Sequence, residues 1–131
     1  MSFRSLSIAS GVLGMAFGAA ITLVQPLMTR VYGLPIEAAN VAQARGFGGL
    51  LFVWGLIAFM MRDVRDRPTQ RLLLIANIVG YVIQIALTLH GIQSGVLNAL
   101  SWSSVAIYAA LMAASGVVMR GAALAAPHAR R

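Results

Sequence analysis

Four polar side chains, Asn77, Tyr81, Gln84 and Thr88, recur along one apolar stretch at steps of four, three and four. On an α-helix they fall within a wedge of about 60°. The stretch that carries them, RLLLIANIVGYVIQIALTLH from Arg71 to His90, is otherwise apolar and long enough to cross a bilayer. An unpaired amide in hydrocarbon is costly, so this face must look onto protein, water or a ligand rather than acyl chains. The chemistry on offer is hydrogen bonding, with bonds to other helices the simpler use and bonds to a ligand the sharper one.

The last apolar run carries a second polar face of Asn98, Ser101, Ser104, Tyr108 and Ser115. Depth can be counted at ~1.5 Å per residue from the arginines that flank each run. Gln84 then lies roughly 20 Å from Arg71, and Tyr108 roughly 18 Å from Arg120, close enough in level to bond across a bundle. Arg45 and Thr88 each lie about 25 Å up, Ser101 a little higher, and Gln25 closes the same outer end. The expected ligand-binding set is therefore Gln25, Arg45, Asn77, Tyr81, Gln84, Thr88, Asn98, Ser101 and Tyr108.

Arg45 is the sharpest of these. An arginine at the centre of a membrane helix costs about 2.5–3.5 kcal/mol, and less near the edge, where its stem can snorkel to water. It reads as an interfacial anchor or a partner of Glu37, or else as the anchor of an anionic headgroup at the mouth of an outer pocket.

Catalytic residues are not expected. No acid falls within a span, no carboxylates are paired, and Ser101, Ser103 and Ser104 have no histidine at helical spacing. The three acids, Glu37, Asp63 and Asp66, are not placed for proton-coupled export, which needs an acid inside the membrane. His90 lacks a nearby carboxylate or second histidine, so no metal site and no cofactor are expected.

The composition sets the class. Of 131 residues, 60% are hydrophobic and 10% charged, against roughly 25% charged in soluble domains. Mean hydropathy is +0.84, which points to a membrane protein. The net charge of +7 would suggest nucleic acid in a soluble chain. Here the arginines sit between apolar runs, where they set topology and meet anionic headgroups, so no nucleic-acid partner is expected. The absence of cysteine excludes disulfides, thiolate metal sites and CxxC redox chemistry.

The expected fold is all-α: one domain, residues 1–131, forming a polytopic bundle of four transmembrane helices over about 6–28, 38–61, 71–90 and 96–119. The first run is longer than a signal-peptide core and reads as an uncleaved span that Pro26 kinks or ends. Residues 29–35 read as a turn, with Pro35 and Glu37 suited to the start of the second helix. Residues 62–71, RDVRDRPTQR, form the hydrophilic connector. Trp102 suits an interfacial anchor. Ser10, Gly14 and Gly18 form a small-xxx-small series that permits close helix approach, within the chain or in a homo-oligomer. Eight of the ten arginines fall on the side of the termini and the 62–71 loop, so both termini are expected in the cytoplasm.

With this layout in view, the chain resembles the small bacterial four-helix membrane proteins grouped as DoxX-like, in particular an uncharacterised set among them. The resemblance rests on a first helix ending at Pro26, the YGLP segment Tyr32 to Pro35, and Ala44-Arg45-Gly46-Phe47-Gly48 opening the second helix. A short basic loop at 62–71 and a glycine-containing turn before a helix carrying Trp102 complete it. It covers most of the chain and implies a fold and a bacterial inner-membrane location more than an activity. Some relatives look like quinone-linked oxidoreductase subunits, but no residues here specifically carry that chemistry. The leading expectation is a non-catalytic membrane protein, an accessory subunit or binder of a lipid-like ligand, with membrane lipids and a protein partner as its contacts. A small-solute transporter or channel, and an isomerase or reductase using Tyr81 or His90 on a hydrophobic substrate, are the alternatives.

Overall fold

The computed structural model describes residues 2–32 and 38–124, and among them there is no strand. The helices are α1 (Phe3–Leu23), α2 (Gln25–Tyr32), α3 (Ala38–Met60), α4 (Arg67–Gln93) and α5 (Trp102–Leu124), with single 3-10 turns at Met61–Asp63 and Ala99–Ser101. Four of them supply spans long and apolar enough to cross a membrane: Phe3–Leu23, Val41–Asp63, Arg67–Gln93 and Ala99–Gly121.

The helix ends differ from the hydropathy boundaries for local reasons. α1 starts at Phe3 because the Ser2 hydroxyl accepts the Ser5 N–H at 3.2 Å. It stops at Leu23 instead of running to Met28. Val24 leaves the helical conformation, and Pro26, which cannot donate to a preceding carbonyl, falls in the first turn of α2. Residues 29–32, expected as a turn, are helical in α2, while Gly33, Pro35 and Glu37 lie outside the described residues. α4 begins at Arg67 because Asp66 caps it and Pro68 occupies its first turn. It ends past His90, at Gln93, and Gly95 then takes a φ of +72°, which glycine adopts without strain. The turn expected at 91–95 is displaced to 94–98, and α5 starts six residues later than the apolar run.

The four spans form a ring in the order α3, α1, α5, α4. α1 lies tightest against α3, α1 and α5 touch, and α5 lies along α4. Glycines make the first contact possible. A Cβ on Gly11 would lie 2.9 Å from the Gly55 carbonyl oxygen, and one on Gly55 would lie 2.8 Å from the Gly11 carbonyl oxygen. The small-residue face of α1 is thus spent inside the chain. Between α3 and α4, which complete the ring, there is no comparable backbone packing.

One end of the ring is filled. Phe3 and Leu6 of α1, Leu74 of α4 and Val118 of α5 form its buried core. Arg4 meets Asp63 across the surface of this end at 3.0 Å, so the start of α1 and the 61–66 connector lie together. The exposed pair itself adds little stability.

The Asp66 carboxylate accepts hydrogen bonds from the Thr69 hydroxyl and, at 2.9 Å, from the Thr69 N–H. These bonds, the hydroxyl first, hold its pKa below the ordinary carboxylate value. A folded-state pKa below the unfolded one gives stability that is present above the unfolded pKa and lost as pH falls through the folded one. Thermal melts in detergent should therefore show an acid-side loss in the wild type that Asp66→Asn, which keeps a cap, flattens. Asp66→Ala should lower Tm at neutral pH as well.

Candidate functional site

The other half of the ring is hollow. A cavity of about 200 Å³ lies between the helices, with a mostly apolar lining. On α1 its wall runs from Ser10 to Ile21, on α3 from Phe47 to Ala58, and on α5 and the 3-10 turn before it from Ser101 to Leu111. Each interval corresponds to roughly 15 Å along a helix, so the space is a narrow slot along the bundle axis.

Its polar groups come from every helix and from the Ala99–Ser101 turn. α4 contributes Tyr81, Gln84 and Thr88, the inward stripe that the step pattern pointed to. The ring of Tyr81, which is 9% exposed, stacks on that of Tyr108 with centroids 6.1 Å apart. Ser10 of α1 stands beside Tyr81 and returns its own hydroxyl to the Leu6 carbonyl at 2.8 Å. At the far end Tyr32 of α2 and Ser104 of α5 share a 3.4 Å hydrogen bond. α2 thereby roofs the cavity together with Leu97.

One buried group of the lining is left without a partner. Ser101 is 1% exposed and belongs to the lining, and its hydroxyl is buried with no hydrogen bond. Gln84 and Thr88 are half-buried in the wall, and neither side chain makes a hydrogen bond among the described residues. A buried polar group without a partner typically costs about 1–3 kcal/mol, so such positions need an explanation.

The remaining expected residues sit elsewhere. Asn77 is on the same stripe as Tyr81 but lies beyond the cavity, where its Oδ1 accepts the Trp54 Nε1–H at 3.0 Å. Asn98 is consumed by structure: its Oδ1 accepts the Leu100 N–H at 3.1 Å, and its Nδ2 donates to the Val31 carbonyl at 2.7 Å. Arg45 is exposed and is not part of the lining; its carbonyl accepts a 3.5 Å bond from Thr22. Gln25 opens α2, and its side chain lies outside the described residues. His90 is exposed and away from the cavity.

Sequence reasoning missed Ser10, Tyr32 and Trp54 as wall residues, and it put Ser104 on the polar face of the last helix without assigning it to the site. A signal existed for Trp54. It lies eight residues from Arg62, and Asn77 lies six from Arg71, or about 12 and 9 Å of depth. The two levels match, as for Gln84 and Tyr108.

Among the described residues the lining holds no arginine, aspartate, glutamate or histidine; its titratable groups there are the phenols of Tyr32, Tyr81 and Tyr108. Among the described residues no cluster of three or more metal-ligating side chains occurs. No protein-family model, curated protein or solved structure matches the chain.

Proposed function

We propose that this chain is a non-catalytic integral membrane protein, an accessory or carrier subunit, that holds a small neutral amphiphile in the cavity of its bundle. The observation that carries this reading is the buried, unpartnered Ser101 hydroxyl in the wall of a cavity with no charged side chain among its described lining residues. Size narrows the occupant. About 200 Å³ exceeds the ~150 Å³ that accommodates benzene. It falls short of the ~300–1,000 Å³ of pockets that enclose drug-sized molecules. One ring or one chain segment fits, with a hydroxyl or carbonyl to meet Ser101 or Gln84. The exposed position of Arg45 favours a neutral head over an anionic one.

The proposed setting is a bacterial inner membrane with both termini cytoplasmic. The support is the eight arginines on the terminal side and the layout shared with DoxX-like proteins. A channel is disfavoured because Leu6, Leu74 and Val118 fill one end of the ring. Catalysis is disfavoured because, among the described residues of the lining, the phenols have no carboxylate, imidazole or amine to relay a proton.

Thermal unfolding in mild detergent tests the reading. A long-chain primary alcohol should raise Tm, since a ligand at a hundred times its Kd adds about 2.7 kcal/mol to the folded state. A fatty acid at pH 8 and an alkylammonium of equal chain length should not, and Ser104→Phe, which fills the wall, should erase the alcohol's effect. Equal shifts from all three head groups, or a shift that survives Ser104→Phe, would refute it.

A further inference from the structure

Any occupant needs a way in, and described residues stand across both ends of the cavity. The core around Leu6 lies at one, and α2 docks at the other, through Tyr32 on Ser104 and the Asn98 N–H on the Tyr32 carbonyl at 3.3 Å. The sides remain. Among the lining residues the exposed ones are Phe47 and Trp54, at 41% and 42%, and both belong to α3. One edge of α3 is sealed against α1, where Gly11 and Gly55 bring the backbones together. The other edge faces α4, against which its backbone packs far more loosely.

The bond from Trp54 Nε1–H to Asn77 Oδ1, at 3.0 Å, crosses this seam. Trp54 also has a double position. It lines the large cavity, and with Asn77 it lines a pocket of about 10 Å³ beyond it. The indole therefore stands at the boundary between the slot and the filled end of the bundle. Swinging it away breaks one interhelical hydrogen bond at the more loosely packed edge of α3.

We infer that the cavity is loaded sideways from the bilayer through the cleft between α3 and α4, and that the Trp54–Asn77 bond is the latch of that cleft. The inference rests on the proposed role of the cavity as the site of a neutral amphiphile, and it specifies that class further. The ligand is a single-chain, membrane-dissolved molecule that never passes through water to reach the site. Its head travels between Phe47 and Trp54 on one side and Gln84 and Thr88 on the other. A two-chain lipid is too large for a slot of about 200 Å³.

The chain has two tryptophans, and Trp102 lies outside the lining, so Trp102→Phe leaves Trp54 as the sole reporter. The protein is reconstituted in phosphatidylcholine vesicles and mixed with a dibrominated long-chain alcohol, whose bromines quench a nearby indole. The expected result is a saturable quenching component that Ser104→Phe removes and that dibrominated phosphatidylcholine does not give. Asn77→Leu should accelerate its onset by roughly 3- to 18-fold, the range for losing one interhelical hydrogen bond in a membrane, and Asn77→Ala serves should the leucine fail to fold.

Saturable quenching with an unchanged rate in both Asn77 variants would overturn the latch and leave the binding site standing. Absence of any saturable component would overturn both. A dimer whose Trp54 no bromoalcohol reaches would put a second copy over the cleft and overturn lateral loading.

Discussion

Gly55→Leu is expected to yield no folded monomer. A Cβ at that position already meets the Gly11 carbonyl oxygen at 2.8 Å and the Gly14 carbonyl carbon at 2.8 Å. These are backbone atoms, so no rotamer change on α1 can make room. Ordinary overpacking costs about 1–3 kcal/mol because neighbouring side chains shift. Here the whole of α1 would have to move away from α3, giving up the closest helix contact in the bundle. Dispersion at close approach is what holds membrane helices together, since lipid is as apolar as leucine. Size-exclusion chromatography in detergent should show loss of the monodisperse peak. Gly80→Ala is the control, because nothing lies within 4 Å of its added Cβ. It should be neutral, or stabilising by up to roughly 1 kcal/mol as a glycine leaves a helix interior.

Leu6→Ala should cost about 2–5 kcal/mol, the range for truncating a fully buried leucine. Leu6 is 1% exposed and joins α1 to Leu74 of α4 and Val118 of α5, so its loss loosens three helices at once. The predicted consequence goes beyond stability. This cluster supports Leu111, which lines the cavity, so its collapse should also weaken the Tm gain from a long-chain alcohol. Thermal melts of Leu6→Ala and wild type with and without the alcohol separate the two effects. A loss below 1 kcal/mol would mean the cluster is not packed as described.

Much of the architecture was legible because the bilayer imposes it. Length and hydropathy fix four spans, and the cost of an unpaired amide forces the stripe of Asn77, Tyr81, Gln84 and Thr88 inward. Depth counted from the arginines also brought Thr88 and Ser101 to one end of the bundle, and both line the cavity.

The order of helices around the ring was not legible. Depth gives a residue's level and not its neighbour, so Asn77 could be assigned inward without its partner Trp54. The glycines of α1 permit close approach to any helix, and only the assembled ring shows that α3 takes that face. Asn98 and Arg45 were over-read for a related reason. Polar type and level suited both to a pocket, but Asn98 meets the α2 backbone of Val31, and Arg45 is turned outward. The break at Val24 and the helical course of residues 29–32 depend on α2 docking against the 98–104 segment, a contact no local pattern encodes.

Native mass spectrometry from gentle detergent tests the central claim most directly. The account predicts a wild-type chain carrying one small uncharged adduct, extractable as a single-chain or single-ring molecule, and a Ser104→Phe chain without it. A folded wild type that flies bare under conditions that retain bound lipid, or one that keeps the same adduct after Ser104→Phe, would contradict it.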